Sequence, residues 1–207
     1  MTRIYIPFYS RYGNTETMAL AVAEGVREQG AEPQLAFTGD TLTPPEIMAQ
    51  DKRWQDTHQR LMAQYALVTA EDLAAADGVC IGTPTRFGNM AAQMKSFIDS
   101  LAGVWLSGAT INKPAGVFVS TASLHGGQEV TALVTYAPLI HLGFVIVGVP
   151  YSVQELLSTT TGGTPYGPTH LAGAMGDRAP DETELLICRA LGQRVAAVAE
   201  ALTALRG

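Results

Sequence analysis

Three continuous apolar segments constrain the fold of this chain more than any other feature of its sequence. They cover residues 78–83, 115–120 and 143–149. Each has the length of a strand but lacks the alternation of apolar and polar residues found in strands with one solvent-exposed face. Such runs are typical of parallel strands that are buried on both faces. Segments with apolar residues at helical spacing lie between them, at residues 89–101 and 128–142. This alternation predicts an α/β fold with a parallel sheet and helices on both faces.

The rest of the chain extends the same pattern. Residues 3–9 are predicted to form a first strand, although Pro7 cannot donate to a ladder, so a missing or irregular pairing is expected there. A helix ending near Gly30 leads to a short strand at residues 33–38, and residues 39–70 are predicted to be a polar surface excursion with some helix. The remaining predictions are a helical turn at 71–76, a Gly-, Pro- and Thr-rich loop at 158–180, and a final helix at 181–205 capped by Asp181 or Thr183.

Composition excludes several classes of function. Thirteen Lys and Arg against 19 Asp and Glu give a net charge of −6, which argues against a nucleic-acid binder. Cys80 and Cys188 stand far apart without a CxxC partner, so we expect no disulfide, no zinc site and a reducing, cytoplasmic environment. We expect neither a signal peptide nor a membrane span.

With no linker to divide it, the chain is predicted to be one domain covering residues 1–207. Its share of charged residues is only 15%, which favours a surface covered in part by a partner subunit.

Small polar residues follow the predicted strands directly. They occupy residues 10–15, 84–89 and 120–127, while Pro150 and Tyr151 follow the fifth strand. Because ligands of open α/β sheets bind at the carboxyl ends of the strands, these segments are the candidate site. Hydroxyls, glycines and aromatic rings together suit a phosphate and a flat aromatic ligand.

The first of these loops, Ser10-Arg11-Tyr12-Gly13-Asn14-Thr15, has the composition of a phosphate cradle. Its hydroxyls and backbone N–H groups can surround a phosphate at the start of the next helix, and Gly13 permits a left-handed backbone. It lacks the Gly-Lys-Ser/Thr of a Walker A motif and the G-x-G-x-x-G fingerprint, so neither a nucleoside triphosphate nor tight Rossmann-type NAD binding is indicated. The same residues are also compatible with a plain strand-to-helix turn capped by Ser and Thr.

Other chemistry has no candidate in the sequence. The chain shows no Ser-His-Asp order, no paired carboxylates and no metal-ligand spacing, so no metal site is predicted. Trp105, His125 and His141 fit packing or surface roles as well as a functional one.

Four segments carry a resemblance to a known family. They are residues 9–18 around the first loop, Gly82-Thr83-Pro84-Thr85-Arg86-Phe87-Gly88-Asn89-Met90, residues 120–129, and Gly162-Gly163-Thr164-Pro165-Tyr166-Gly167. On these segments the chain resembles the WrbA family of flavodoxin-like NAD(P)H:quinone oxidoreductases, from about residue 3 to residue 200. The resemblance implies a five-stranded parallel sheet in the order 2-1-3-4-5, FMN as cofactor, NADH or NADPH as electron donor, quinones as acceptors, and a homotetramer built as a dimer of dimers.

The resemblance also implies the residues of the site. Tyr12 and Trp105 correspond to a nicotinamide contact and an aromatic wall of the substrate pocket, and His141 and Tyr151 are the catalytic candidates. The positions implied to bind FMN are Ser10, Arg11, Tyr12, Gly13, Asn14, Thr15, Pro84, Thr85, Arg86, Phe87, Gly88, Ser120, Thr121, Ala122, Ser123, Leu124, His125 and His141. Residues 44–65 are longer and more charged than the family pattern, so no contacts are predicted for them.

The function implied is two-electron reduction of quinones in ping-pong order through one shared pocket, with protons from His141, Tyr151 or water. Two alternatives stay open. An electron-carrier flavodoxin would need a strongly acidic face to meet its partners, and an FMN-binding accessory factor would act through protein contacts. A signalling receiver domain of the same strand order is disfavoured, because it needs acidic residues after the first strand and Tyr9 and Ser10 stand there instead.

Overall fold

The computed structural model describes residues 1–205, in which a parallel sheet lies between two layers of helices. The strands are β1 Arg3–Phe8, β2 Glu32–Phe37, β3 Gly78–Arg86, β4 Asn89–Met90, β5 Pro114–Thr121, β6 Val145–Ile146 and β7 Thr169–Leu171. The helices are α1 Asn14–Glu28, α2 Pro45–Met48, α3 Lys52–Gln64, α4 Ala70–Ala75, α5 Ala92–Asp99, α6 Ala102–Ser107, α7 Gln128–His141, α8 Glu155–Ser158 and α9 Glu182–Ala201, followed by a 3-10 turn at Thr203–Leu205.

The order of the sheet is β2-β1-β3-β5-β6, with every neighbouring pair parallel. Counted over these five strands it is the predicted order 2-1-3-4-5, so the predicted fold class is confirmed. The strand count is larger than predicted, because β4 pairs antiparallel with β3 and β7 pairs parallel with β5 to give seven strands.

Two predicted elements are shorter than expected, each for its own reason. The strand predicted at residues 143–149 is reduced to β6, because the carboxyl end of β5 pairs with β7 instead. The helix predicted at 89–101 begins only at Ala92, because Asn89 and Met90 turn back on β3 as a hairpin. Asn89 is therefore not the helix cap.

The strands alternate their side chains between two cores. Ile4, Ile6 and Phe8 pack under α1 and α9, whereas Tyr5 faces the layer of α5 and α7 on the other side. This alternation with period two is what a strand buried on both faces requires. Helices α1 and α9 approach so closely at Gly25 that a side chain there would collide with the carbonyl of Arg189.

Pro7 interrupts the ladder of β1, as the sequence predicted. Strand β1 pairs with β3 at Ile4, Tyr5 and Phe8, and the described pairs skip Ile6 and Pro7. Pairing with β2 continues through Pro7, opposite Ala36. The missing donor is thus tolerated in a central strand by a local gap on one side only.

The predicted excursion after β2 is largely helical and firmly attached. Asp51 caps α3 by accepting a hydrogen bond from the Trp54 N–H at 3.1 Å, and Trp54 and Leu61 are buried. Arg60 donates to Glu16 on α1, with 2.8 Å between Nη1 and Oε1. At the other end of the chain, Asp181 caps α9 through a reciprocal capping box with Glu184, which confirms the predicted cap.

Cys80 and Cys188 are both free and buried, and burial raises the pKa of each thiol. Among residues 1–205, no cluster of His, Cys, Asp and Glu has the arrangement of a metal site. Within the same range, no helix combines the length and apolar character needed to cross a membrane.

Candidate functional site

A cavity of about 260 Å³ lies at the carboxyl ends of β1, β3 and β5. This is the edge where the sequence places the candidate site. Its lining is Ser10, Arg11, Tyr12, Asn14, Thr15, Pro84, Thr85, Arg86, Ser120, Thr121, Ala122, Ala172, Ala174, Met175 and Gly176. Four segments that are distant in sequence therefore meet around one space.

The loop after β1 wraps the start of α1. Gly13 precedes the helix with φ +95°, a left-handed conformation that favours glycine. Its N–H donates to Ser10 Oγ at 3.1 Å, so the Ser10 hydroxyl proton is available to a ligand. Thr15 is 2% exposed, and the first N–H groups of the helix have no intrahelical acceptor. Buried hydroxyls and free N–H groups at a helix start form a donor-rich cradle for an anion.

The hairpin between β3 and β4 forms a second wall. Its two central residues, Phe87 and Gly88, have φ +53° and +79°, the signature of a type I′ turn. Phe87 is a poor residue for this conformation, which costs roughly 1–3 kcal/mol for a non-glycine residue. Its ring is fully exposed at the tip. The turn therefore holds the Phe87 ring outward, away from this chain's own core.

Arg86 brings a cation to the cavity. Its Nη1 donates to the carbonyl of Thr85 at 2.9 Å. Burial lowers the pKa of Arg86, while the nearby Tyr9 and Asp40 favour its charged form. Tyr9 donates to Asp40 Oδ2 at 2.8 Å behind this position. The charge of Arg86 is therefore partly balanced by Asp40.

A loop that sequence reasoning missed closes the cavity from above. Ala172, Ala174, Met175 and Gly176 line it, and Asn14 Nδ2 donates to the carbonyl of Gly176 at 2.9 Å. The signal that could have identified this loop is the Ala-Gly-Ala-Met-Gly run at 172–176, which follows the strand β7 as the other site loops follow theirs.

This roof is anchored by an ion pair between a partly exposed arginine and a buried carboxylate. Arg178 Nη1 lies 2.9 Å from Oε2 of Glu184, whose carboxylate is fully buried. Glu184 Oε1 also accepts from the N–H groups of Gly162 and Leu171, at 3.0 and 2.9 Å. One carboxylate thus joins helix α9 to the strand and the loops that precede the roof.

The excursion supplies a further wall around Tyr12. The Tyr12 hydroxyl donates to Asp51 Oδ2 at 2.5 Å, and the guanidinium of Arg53 lies 4.6 Å from the Tyr12 ring centroid. Burial and the bond to Asp51 raise the pKa of Tyr12. Arg53 Nη2 also donates to the carbonyl of Gly176 at 2.7 Å, which ties the excursion to the roof. The segment for which no contacts could be predicted therefore positions one of the candidate substrate residues.

Two candidate residues lie elsewhere in the chain. Trp105 and His141 line a separate cavity of about 280 Å³, together with residues of α5 and α6. Helix α7 starts beside the site and ends just before β6, which pairs with the first residues of β5. His141 is therefore at the amino edge of the sheet, opposite the site, and within one chain it does not reach the first cavity.

Four further candidate residues lie outside the lining of the cavity. Leu124 and Tyr151 are exposed, at 43% and 56%, and His125 is exposed in the loop after β5. Ser123 lies in the same loop, where its carbonyl accepts from the Thr121 hydroxyl at 3.0 Å. None of these residues is among those that line the cavity, and their roles stay predictions.

The fold and the site define a class. A parallel sheet in this order, with a hydroxyl-rich loop at the start of its first helix and a cavity at the carboxyl edge, is the architecture of flavodoxin-like proteins. The family model described as NADPH-dependent FMN reductase matches residues 9–154. The chain belongs to this family, and its fold is flavodoxin-like.

Known proteins resemble the chain over nearly its whole length. An NAD(P)H dehydrogenase (quinone) of Trichlorobacter lovleyi is 46% identical over 99% of this chain and 100% of its own. A protein of the same name from Geobacter metallireducens is 44% identical over 97% and 98%. The crystal structure of a flavodoxin, WrbA-like protein from Agrobacterium tumefaciens superposes with a TM-score of 0.67 at 24% identity, covering 98% of this chain and 100% of that one.

Proposed function

We propose that this protein is an FMN-dependent NAD(P)H:quinone oxidoreductase. The observation that carries the proposal is the meeting of a donor-rich anion cradle with a slot walled by Thr85, Arg86 and Ser120 in one cavity. Relatives named NAD(P)H dehydrogenase (quinone) that match the chain from end to end support it.

The residues present fit FMN. The loop of Ser10 to Thr15 would hold its phosphate, because the loop offers hydroxyls and N–H groups at a helix start. Thr85, Arg86 and Phe87 would border the ring, and residues 120–125 would line its polar edge. When bound, FMN supplies the two-electron carrier between the nicotinamide and the quinone.

The chain's own residues bind, orient and exclude water. Tyr12, held by Asp51, would orient the nicotinamide, and the roof at 172–176 would shield the cavity from solvent. Because both substrates would use the same opening in turn, ping-pong order is expected. Protons would come from His141, Tyr151 or water.

We also propose that the working form is a homotetramer, a dimer of dimers. Trp105 and His141 can contribute to a site only if they belong to a neighbouring copy, since both are remote from the cavity of their own chain. The surface around them is apolar: Leu106 is 77% and Ile140 60% exposed. A neighbouring copy would cover this surface and complete the site at the same time.

The experiment is a titration followed by kinetics. The purified protein is titrated with FMN while flavin fluorescence is recorded, and oxidation of NADH or NADPH by benzoquinone is then measured. Saturable quenching and parallel double-reciprocal lines support the proposal. Absence of FMN binding contradicts it, and binding without nicotinamide turnover indicates the electron-carrier alternative.

A further inference from the structure

Two residues with hydroxyl side chains, Ser120 and Thr121, line the cavity at the carboxyl end of β5. They are 6% and 2% exposed, so water does not reorient them freely. A hydroxyl has one proton to donate and two lone pairs to accept with. The direction in which each proton points therefore decides whether this wall offers a ligand donors or acceptors.

His170, on β7, lies behind Ser120 and is fully buried. Its Nε2 is 3.0 Å from the backbone oxygen of Arg178, and its Nδ1 is 3.0 Å from Ser120 Oγ. A carbonyl oxygen only accepts, so Nε2 must carry the proton. Burial lowers the pKa of His170; the Glu184 carboxylate opposes this effect and the Arg178 guanidinium adds to it. In the neutral ring Nδ1 is then the acceptor, and Ser120 donates to it.

Thr121 is oriented in the same sense. Its single hydroxyl proton is shared between the backbone oxygens of Ser123 and His170, which lie 3.0 and 3.3 Å from Oγ1. At the opposite end of the cavity, Ser10 accepts from a backbone N–H and keeps its own proton for a ligand. The cavity therefore has a donor end at the start of α1 and an acceptor wall at the end of β5.

We propose that His170 is a positioning residue that turns the Ser120 hydroxyl proton away from the cavity. Ser120 Oγ then accepts a hydrogen bond from a donor group of the bound molecule, a hydroxyl or a ring N–H. The phosphate, which in its dianionic form has only acceptor oxygens, is directed to the α1 end. This assignment deepens the proposed FMN function and rests on it for the identity of the ligand.

The first test needs no ligand. In the ¹⁵N-labelled protein the imidazole signals of His170 are assigned by their loss in His170→Asn, and the tautomer is determined at pH 7. A neutral ring protonated at Nε2 supports the assignment. A ring protonated at Nδ1, or at both nitrogens, overturns it, because Ser120 would then be the acceptor.

The second test is a double-mutant cycle read by FMN fluorescence quenching. We expect Ser120→Ala and His170→Leu each to raise the Kd for FMN about fivefold or more, on the scale of one lost hydrogen bond. The double variant should be no weaker than the weaker single one, because His170 acts through Ser120. If the increases in Kd of the two single variants multiply in the double variant, the assignment is overturned, because His170 then acts independently of Ser120.

A conservative variant guards against misfolding. In His170→Asn the side-chain oxygen can still accept from Ser120, so the Kd for FMN should stay within about twofold of the wild-type value. An Asn variant as weak as the Leu variant contradicts the role of Nδ1. Wild-type protein that leaves FMN unbound contradicts the proposed function itself, whereas FMN binding with an additive cycle contradicts only the role of His170.

Discussion

The guanidinium of Arg11 lies over the ring of Trp54, with 3.9 Å between Cζ and the ring centroid. Arg11 Nη2 is also 3.6 Å from Asp51 Oδ2. A residue of the predicted phosphate loop is thus engaged by the excursion, with its charge balanced there. The cradle is left with hydroxyls and N–H groups as its donors, and the excursion becomes part of the site's framework.

Thr15→Ala should weaken FMN binding. Loss of one hydrogen bond to a charged phosphate removes about 1 kcal/mol or more, a rise in Kd of roughly fivefold or more. The measurement is quenching of flavin fluorescence. Thr17→Ala is the matched control, because Thr17 is exposed two residues further along the same helix. An unchanged Kd in Thr15→Ala would remove this residue from the cradle.

Asp51→Asn should loosen Tyr12 while keeping the cap of α3, since Asn also caps helices well. The bond from Tyr12 is the main reason that the pKa of Asp51 is lowered, so the carboxylate is charged at neutral pH. Replacing this charged acceptor should raise KM for NADH or NADPH about three- to fivefold, with the Kd for FMN nearly unchanged. Asp56→Asn, exposed on the same helix, is the control. Equal weakening of both ligands would argue for a general disturbance instead.

Glu184→Gln should destabilise the fold. The substitution removes the charge of a fully buried carboxylate that accepts from Arg178 and from the N–H groups of Gly162 and Leu171. We expect it to cost about 3 kcal/mol, although Arg178 keeps Asp181 as a second partner. For a chain of this size the midpoint of thermal unfolding should fall by roughly 6–12 °C. Glu182→Gln is the control on the same helix turn, because the Glu182 side chain is 77% exposed. A similar fall in the unfolding midpoint of both variants would show that the pair of Arg178 and Glu184 does not hold the roof.

Asp40 should contribute stability that depends on pH. Burial disfavours its charge, but hydrogen bonds from Gln93, Tyr9 and Thr43 outweigh burial and hold its pKa below 3.8. Because the folded-state pKa is the lower one, the contribution is present above about pH 4 and is lost as the pH falls through the folded-state pKa.

The corresponding variant is Asp40→Asn, studied by urea unfolding between pH 3 and 7. It should lose about 1.5 kcal/mol at pH 7, the scale of hydrogen bonds to a charged group, and the difference from wild type should shrink at pH 3. The exposed Asp99→Asn is the control. A difference that stays constant with pH would contradict the linkage.

Sedimentation should show a species larger than a dimer, and Leu106→Glu should shift it to smaller ones. Leu106 is 77% exposed beside Trp105, so a charge there leaves the core intact but opposes burial against another copy. Leu20→Glu, at an exposed apolar position of α1, is the control. A wild-type monomer at working concentration contradicts the tetramer.

Much of the fold and part of the site could be predicted from the sequence. The apolar runs at 78–83 and 115–120 became central strands, because only burial on both faces accommodates them. The loops after those strands then had to meet at one edge. Phe87 could be placed in a loop, but its left-handed backbone could not be foreseen, because the hairpin and not the residue's own preference imposes it.

Local pattern by itself determined the layers and the donor-rich loop from Ser10 to Thr15, whereas the strand order was implied by the resemblance to a known family. Tertiary structure decided which distant groups meet at the site: Asp51 bonded to Tyr12, Gly176 bonded to Asn14, and His170 behind Ser120. Their spacing in sequence carries no signal, because those contacts depend on how the excursion and the last loop pack against the sheet. The same packing places Trp105 and His141 at the far edge, which a linear motif cannot reveal.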